Sequence, residues 1–196
     1  MKRSDYIKVG LWLLTMLLPP NLSALEGDLQ IRGGYFRFAN HTARKIYHQG
    51  APDIELQGDL FFHTFFNPWI NVNYAWKEGR SDPLSNKTEL KLATMSLGSN
   101  MQFSCYRSFL KCYLGIGFST AYLHLHDHST DLPRHTHRWS IGVVGKSGFF
   151  VNFYRHIFLD LFFDYYYQPV RTTSTVSESQ INLGGFRTGV GLGYLF

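Results

Sequence analysis

From Asp28 onward the chain alternates large apolar residues with small or polar ones, in segments of about ten residues divided by turn-rich stretches. A period of two is a strand period, because successive side chains point to opposite faces of a sheet. Eight such segments can be read. Asp28–Phe38 sets Leu29, Ile31 and Tyr35 against Gln30, Arg32 and Gly34, and Ile54–Thr64 sets Ile54, Leu56, Leu60 and Phe62 against Glu55, Gln57 and Asp59. Trp69–Lys77 places Ile70, Val72, Tyr74 and Trp76 opposite Asn71, Asn73 and Lys77. In Lys87–Phe103 the pattern breaks: Leu90 and Leu92 hold one parity and Met95, Leu97 and Met101 the other, which predicts a bulge near Ala93. Cys112–His124, His137–Val151 and Ile157–Tyr167 resume clean alternation, the last with Asp160 and Asp164 on its polar face. In the closing segment Phe186, Val190, Leu192, Tyr194 and Phe196 alternate with Gly185, Arg187, Gly189, Gly191 and Gly193. So many glycines weaken an ordinary central strand, whereas the inner wall of a narrow barrel accommodates them.

The connections alternate in length. Joins after the second and sixth segments are short (Phe65–Pro68, Asn152–His156), and those after the first, third, fifth and seventh are longer and polar. The first of these is a polar stretch over Ala39–Asp53, and the join after the fourth, Ser104–Lys111, is intermediate. Antiparallel membrane barrels with short periplasmic turns and long extracellular loops show this asymmetry. The pattern predicts an all-β fold, an eight-stranded antiparallel up-and-down transmembrane barrel. A soluble exported barrel holding an apolar ligand would alternate in the same way with its faces reversed. Aromatics favour the membrane form, since Tyr35, Trp76, Tyr122, Trp139, Tyr165 and Tyr194 fall near the ends of bulky faces, as interfacial girdles require.

Composition narrows the picture further. Aromatic residues are 17% of the 196, with 17 Phe and 12 Tyr, which excludes a disordered chain. Lys2, Arg3 and Lys8 precede the apolar run Val9–Leu18, followed by Pro19, Pro20 and a small-residue site ending at Ala24. This is the order of a secretory signal peptide, and the run is about half of what a spanning helix needs. We therefore expect residues 1–24 to be removed and 25–196 to form the barrel. Past residue 24 the chain carries 16 basic and 13 acidic residues, a net +3, scattered along the segments. That distribution lacks the clustered cations of a nucleic-acid surface.

The closing pattern, ending on Tyr194 and Phe196, resembles the last strand of bacterial outer-membrane barrels, whose terminal Phe is part of the signal read by the barrel-assembly machinery. Over residues 28–196 the chain is similar to the small eight-stranded outer-membrane proteins of the opacity, adhesin and OmpA-membrane-domain type, most closely in Gly184–Phe196 and Val151–Tyr167. The resemblance implies residence in the outer membrane, contact with lipid and lipopolysaccharide, and a role in envelope structure, adhesion or interaction with host surface molecules. It implies no catalytic machinery and no cofactor. With the chain ending at Phe196, we expect no peptidoglycan-binding module after the barrel.

Two groups of residues carry chemistry of their own. Cys105 and Cys112 flank the fourth join, where an oxidising periplasm favours a disulfide over two free thiols. Five of the nine histidines crowd one hairpin: His124, His126 and His128 ascend, and His135 and His137 descend. Each set shares a face and the two sets can meet across the strands, an arrangement that can hold Zn or Cu. Headgroup contact or plain loop polarity are the alternatives, because parity turns His124 and His137 outward beside the girdle. A lipid A-modifying enzyme is the competing function, with His126, His128 and Ser129, and Asp127 or Asp131 to orient a histidine. Arg32, Glu55, Asp59, Lys77, Lys146, Asp160, Asp164 and Arg187 share the inner parity, so we expect a lumen filled by ion pairs and, at most, small porin-like conductance.

Overall fold

The computed structural model describes residues 26–46, 50–81, 86–106, 109–127, 134–174 and 177–196. The segment expected to be a signal peptide lies outside these residues. Eight strands close into an antiparallel barrel: β1 (Glu26–Phe38), β2 (Gly50–Phe61), β3 (Asn67–Ser81), β4 (Asn86–Tyr106), β5 (Leu110–Asp127), β6 (Arg134–Tyr154), β7 (Ile157–Tyr167) and β10 (Gly185–Leu195). Each pairs with its neighbours in sequence, and β10 pairs with β1 from Asp28↔Leu195 to Phe38↔Gly185. The Phe196 amide donates to the Gly27 carbonyl at 3.0 Å and the Gly27 amide returns a bond at 3.2 Å, so pairing continues to the final residue. Closure leaves no open sheet edge, the condition for strands to cross lipid.

The faces separate as the alternation predicts. Ile31, Leu56, Ile116, Phe118, Ile141 and Val190 point outward, with Ile116 71% and Ile141 75% exposed, while Gln30, Arg32, Glu55, Asn71, Asp160, Asp164 and Arg187 are completely covered inside. A polar interior within an apolar belt excludes the soluble barrel with an apolar cavity. Rings mark the rims of the belt: Tyr35, Trp76, Tyr122, Trp139 and Tyr165 on the side of the long connections, and Phe62, Phe103, Tyr106, Tyr194 and Phe196 near the short turns. This is the lipid-facing surface of an outer-membrane barrel.

Four expectations are corrected. No bulge occurs near Ala93, because β4 keeps register with β3 from Asn67↔Asn100 to Ser81↔Asn86, and with β5 from Thr88 to Ser104. Leu90 and Leu92 instead face the lumen and are buried, joining Phe36, Phe38, Ala51, Leu123 and Tyr166 in an apolar cluster toward the extracellular end. The sequence pattern changed parity because the chemistry of the inner face changes with depth. The register of β4 shifts only between Ser104 and Tyr106. The join after β4 is short, since β4 runs to Tyr106 and β5 starts at Leu110, so all three turns at that end are tight. The polar stretch Ala39–Asp53 contains a six-residue helix α1 (His41–Ile46) and the start of β2, with Asp53 inside the barrel. Asn40 caps α1, its side-chain oxygen accepting from the Ala43 amide at 3.2 Å. Finally, the connection after β7 holds a second hairpin, β8 (Pro169–Ser174) and β9 (Ser177–Asn182), which polar composition alone had concealed.

Glycines of β10 line the lumen where large rings cross it. A Cβ at Gly189 would stand 2.8 Å from Phe162 Cζ, and one at Gly191 would stand 2.8 Å from Arg32 Cγ. Gly34 pairs directly with Gly189, and Phe162, on the other flank of β10, lies across both. Gly189→Leu must displace that ring in a filled interior. It is expected to lower stability by about 1–3 kcal/mol, read as a lower urea midpoint of the refolded protein. The unaltered barrel should show different mobility in SDS before and after boiling.

Candidate functional site

The lumen is occupied by a connected set of charged and amide side chains. Glu55 on β2 lies at its centre. Its Oε1 accepts from Arg32 Nη1 at 2.7 Å and meets Lys146 Nζ at 3.4 Å, while its Oε2 accepts from Arg187 Nη1 at 2.7 Å. All four side chains are fully covered. Arg32 also reaches Asp160 Oδ2 at 2.6 Å and Asp164 Oδ2 at 3.4 Å, and it donates to the Tyr113 hydroxyl at 2.5 Å. Arg187 pairs with Asp53, which Asn73 Nδ2 also holds at 2.5 Å. The guanidinium carbons of Arg32 and Arg187 lie over the Phe162 ring, 4.1 and 4.4 Å from its centroid. Lys146 Nζ lies 4.4 Å from the centroid of the Trp69 ring. Cation–π contact is strong where both groups are desolvated.

Six buried carboxyl groups, Asp28, Asp53, Glu55, Asp59, Asp160 and Asp164, face three buried cations, Arg32, Lys146 and Arg187. Amides serve where cations do not reach. Asp59 accepts from Gln57 Nε2 at 2.6 Å, Asn100 Nδ2 at 2.8 Å and Gln30 Nε2 at 3.2 Å, and Gln30 also donates to Asp28 at 2.9 Å. Of the eight charges expected inside, seven are fully or nearly fully buried in this network. Lys77 sits half-buried nearer the extracellular rim and outside it. Asp28 and Asp53 were missed as lumenal charges. The polar stretch Ala39–Asp53 reads as a loop, although the parity of Asp53 with Glu55, Gln57 and Asp59 carries the signal that places it in β2.

Apolar side chains flank the network. Tyr113, Phe150, Phe158 and Phe162 cluster toward the short turns with Leu195 against them, and Phe36, Leu92, Leu123, Val144 and Tyr166 pack toward the long connections with Leu183. The interior is therefore a filled core rather than an aqueous channel.

On the outer surface, register aligns side chains across four strands. Trp76, Lys91, His124 and His137 form one row, and Tyr74, Ala93, Tyr122 and Trp139 form the next. The imidazoles of His124 and His137 stand 4.5 Å apart between centroids, and the Tyr122 hydroxyl bonds His137 Nδ1 at 2.7 Å. His126 and His135 are paired through the backbone. Their side chains, and all of His128, Ser129 and Asp131, lie outside the described residues, as does the side chain of Asp127. Among the described residues no group of three His, Cys, Asp or Glu side chains converges on a metal position. At the other end, Cys105 and Cys112 form a disulfide across the β4–β5 turn, their Cα atoms 5.9 Å apart. Tyr194 and Phe196 point outward, and Tyr194 stacks on His156 at 5.7 Å.

Two outcomes follow from the lumen. Glu55→Gln leaves three buried cations without their common anion and should destabilise the barrel by about 3–5 kcal/mol, measured by urea unfolding followed through tryptophan fluorescence. In planar bilayers the unaltered protein should give small, poorly selective currents, without large stable single-channel steps.

No family model and no curated protein sequence matches the chain. Solved structures do. The Neisserial surface protein A (NspA) is 14% identical, with a TM-score of 0.57 over 88% of this chain and 97% of its own. Ail, the attachment invasion locus protein of Yersinia pestis, in complex with the heparin analogue sucrose octasulfate, is 11% identical, with a TM-score of 0.59 over 88% and 99%. The outer membrane protein OprG of Pseudomonas aeruginosa is 14% identical, with a TM-score of 0.59 over 87% and 96%. Lipid-facing belt, strand number and these neighbours agree that the chain has the fold of the small eight-stranded outer-membrane β-barrels.

Proposed function

We propose that this protein works without catalysis, as a structural barrel of the outer membrane that makes surface contacts through its extracellular connections. The observation that carries the reading is the filled lumen. With Glu55 tied to three cations and apolar clusters on both sides of the network, function belongs to the surface and not to a transport path. Strands β4, β5 and β6 and the β8–β9 hairpin supply a large extracellular part for a chain of this size. Its exposed cations include Arg37, Lys45, Lys91 and Arg138, which suit anionic partners: lipopolysaccharide phosphates beside the girdle, and acidic groups of host surface molecules above it. Ail, of the same fold, was solved with a sulfated sugar, which accords with such chemistry. The outward Tyr194 and Phe196 suit recognition by the barrel-assembly machinery.

The test compares bacteria displaying the full chain with bacteria displaying a variant whose connections 39–49, 82–85, 128–133 and 168–184 are cut to tight turns. Heat-dependent mobility should persist in the variant, while attachment to host cells or matrix falls to the level of cells lacking the protein. Equal attachment by both would refute the surface role. Lipid A mass spectra should be the same with and without the protein, and an altered acyl pattern would establish the enzymatic alternative.

A further inference from the structure

The β5–β6 hairpin keeps one unbroken register from Leu110↔Val151 to Asp127↔Arg134. That register sets His124 directly opposite His137 and, two positions further along, His126 directly opposite His135. Positions two apart in an antiparallel ladder share a face and a ladder class. The two pairs therefore occupy successive register positions of one ladder class, next to the pair Tyr122–Trp139. Sequence spacing shows two sets of alternating histidines, but only the register shows them meeting pair by pair.

Directly opposed residues have Cβ atoms about 4.5–5.5 Å apart. Two imidazoles at that spacing can close on one ion with metal–nitrogen bonds of about 2.0–2.1 Å. The rings of His124 and His137 already stand 4.5 Å apart with an interplanar angle of 34°. The Tyr122 hydroxyl holds His137 at Nδ1, at 2.7 Å, which orients the ring and leaves Nε2 to ligate. A partner on the second ring nitrogen is the usual way that a metal-binding histidine is positioned. Lys91 faces His124 from β4 and would oppose a cation, but its ammonium lies 3.8 Å from Glu89. Glu89 in turn is registered opposite His126, which places an anion at the level of the second histidine pair.

We propose that the outward face of the β5–β6 hairpin binds one divalent transition-metal ion of the imidazole-preferring class, Zn2+ or Cu2+, between the opposed pairs His124–His137 and His126–His135. The ion clips the two strands together at the base of the connection 128–133. Imidazole suits zinc and copper, whereas magnesium and calcium prefer sets of oxygen ligands. The inference rests on strand register and does not depend on the surface role proposed above.

The experiment titrates the untagged full chain, refolded in detergent micelles, with Zn2+ and Cu2+ by calorimetry, and records the Cu2+ electron paramagnetic resonance spectrum. One equivalent should bind, with nitrogen couplings from two or more imidazoles, and the temperature at which the compact gel form is lost should rise with metal. Changes outside the first ligand shell already cost tenfold or more in affinity. H124Q/H137Q and H126Q/H135Q should therefore each weaken binding by more than about tenfold, and the fourfold variant should abolish it. H63Q/H156Q, at the opposite end of the barrel, should bind as the parent does. Heat-dependent mobility reports whether each variant has folded, and the spectrum of the parent decides the matter if one has not. Absence of binding by the parent, an oxygen-only copper spectrum, or undiminished binding by a folded fourfold variant would overturn the site.

Discussion

One carboxylate in the lumen meets three cations, and much of the interior is arranged around that meeting. Arg32, Lys146 and Arg187 come from β1, β6 and β10, and Glu55 from β2, so the contact draws together strands from around the barrel wall. Burying any one of these charges alone would cost several kcal/mol. Mutual pairing, amide donors from Gln30, Gln57, Asn73 and Asn100, and the flat face of Phe162 offset that cost together. A network of this kind stabilises the barrel only when it is complete, and it favours a single registration of the strands.

The filled core and the lipid-facing belt impose opposite rules on the two faces of each strand. Inside, large rings need bare backbone opposite them, which is why Gly34 and Gly189 pair beneath Phe162. Outside, the belt accepts aliphatic and aromatic side chains of almost any shape, because lipid conforms to them. The inner face carries the specific packing, and the outer face chiefly has to be apolar. What distinguishes this surface from a plain lipid belt is its extracellular margin, where cations and imidazoles follow the aromatic row.

That margin joins the fold to the surface role proposed for it. The row Trp76–Lys91–His124–His137 stands immediately beyond Tyr74–Ala93–Tyr122–Trp139, so polar chemistry begins one step from the girdle. Its components come from four strands, and the sheet alone brings them level. A rigid scaffold presenting chemistry at the roots of long connections is a common basis for surface contact.

Much of this was legible in the chain itself. Alternation at period two and unequal connections indicated strand number, and aromatics at the ends of the bulky faces favoured the membrane form, with those faces outward, over a soluble barrel with its faces reversed. They did so because lipid allows only closed strand pairing with apolar residues outward. Seven of the nine lumenal charges were legible for the same reason, since parity assigns a face without reference to any partner. Parity says nothing about depth, however. The parity switch between Leu92 and Met95 predicts a bulge, whereas Leu90 and Leu92 belong to an apolar layer within the lumen. Nor does alternation show which strands face one another or how far each is slid along its neighbour. The choice of Glu55 as the common partner of three cations, the level row of Lys91, His124 and His137, and the β8–β9 hairpin were decided by the tertiary structure. The meeting at Glu55 depends on strands that are distant in sequence and brought together by closure of the barrel as a whole, and the row and the hairpin depend on how neighbouring strands are slid along one another.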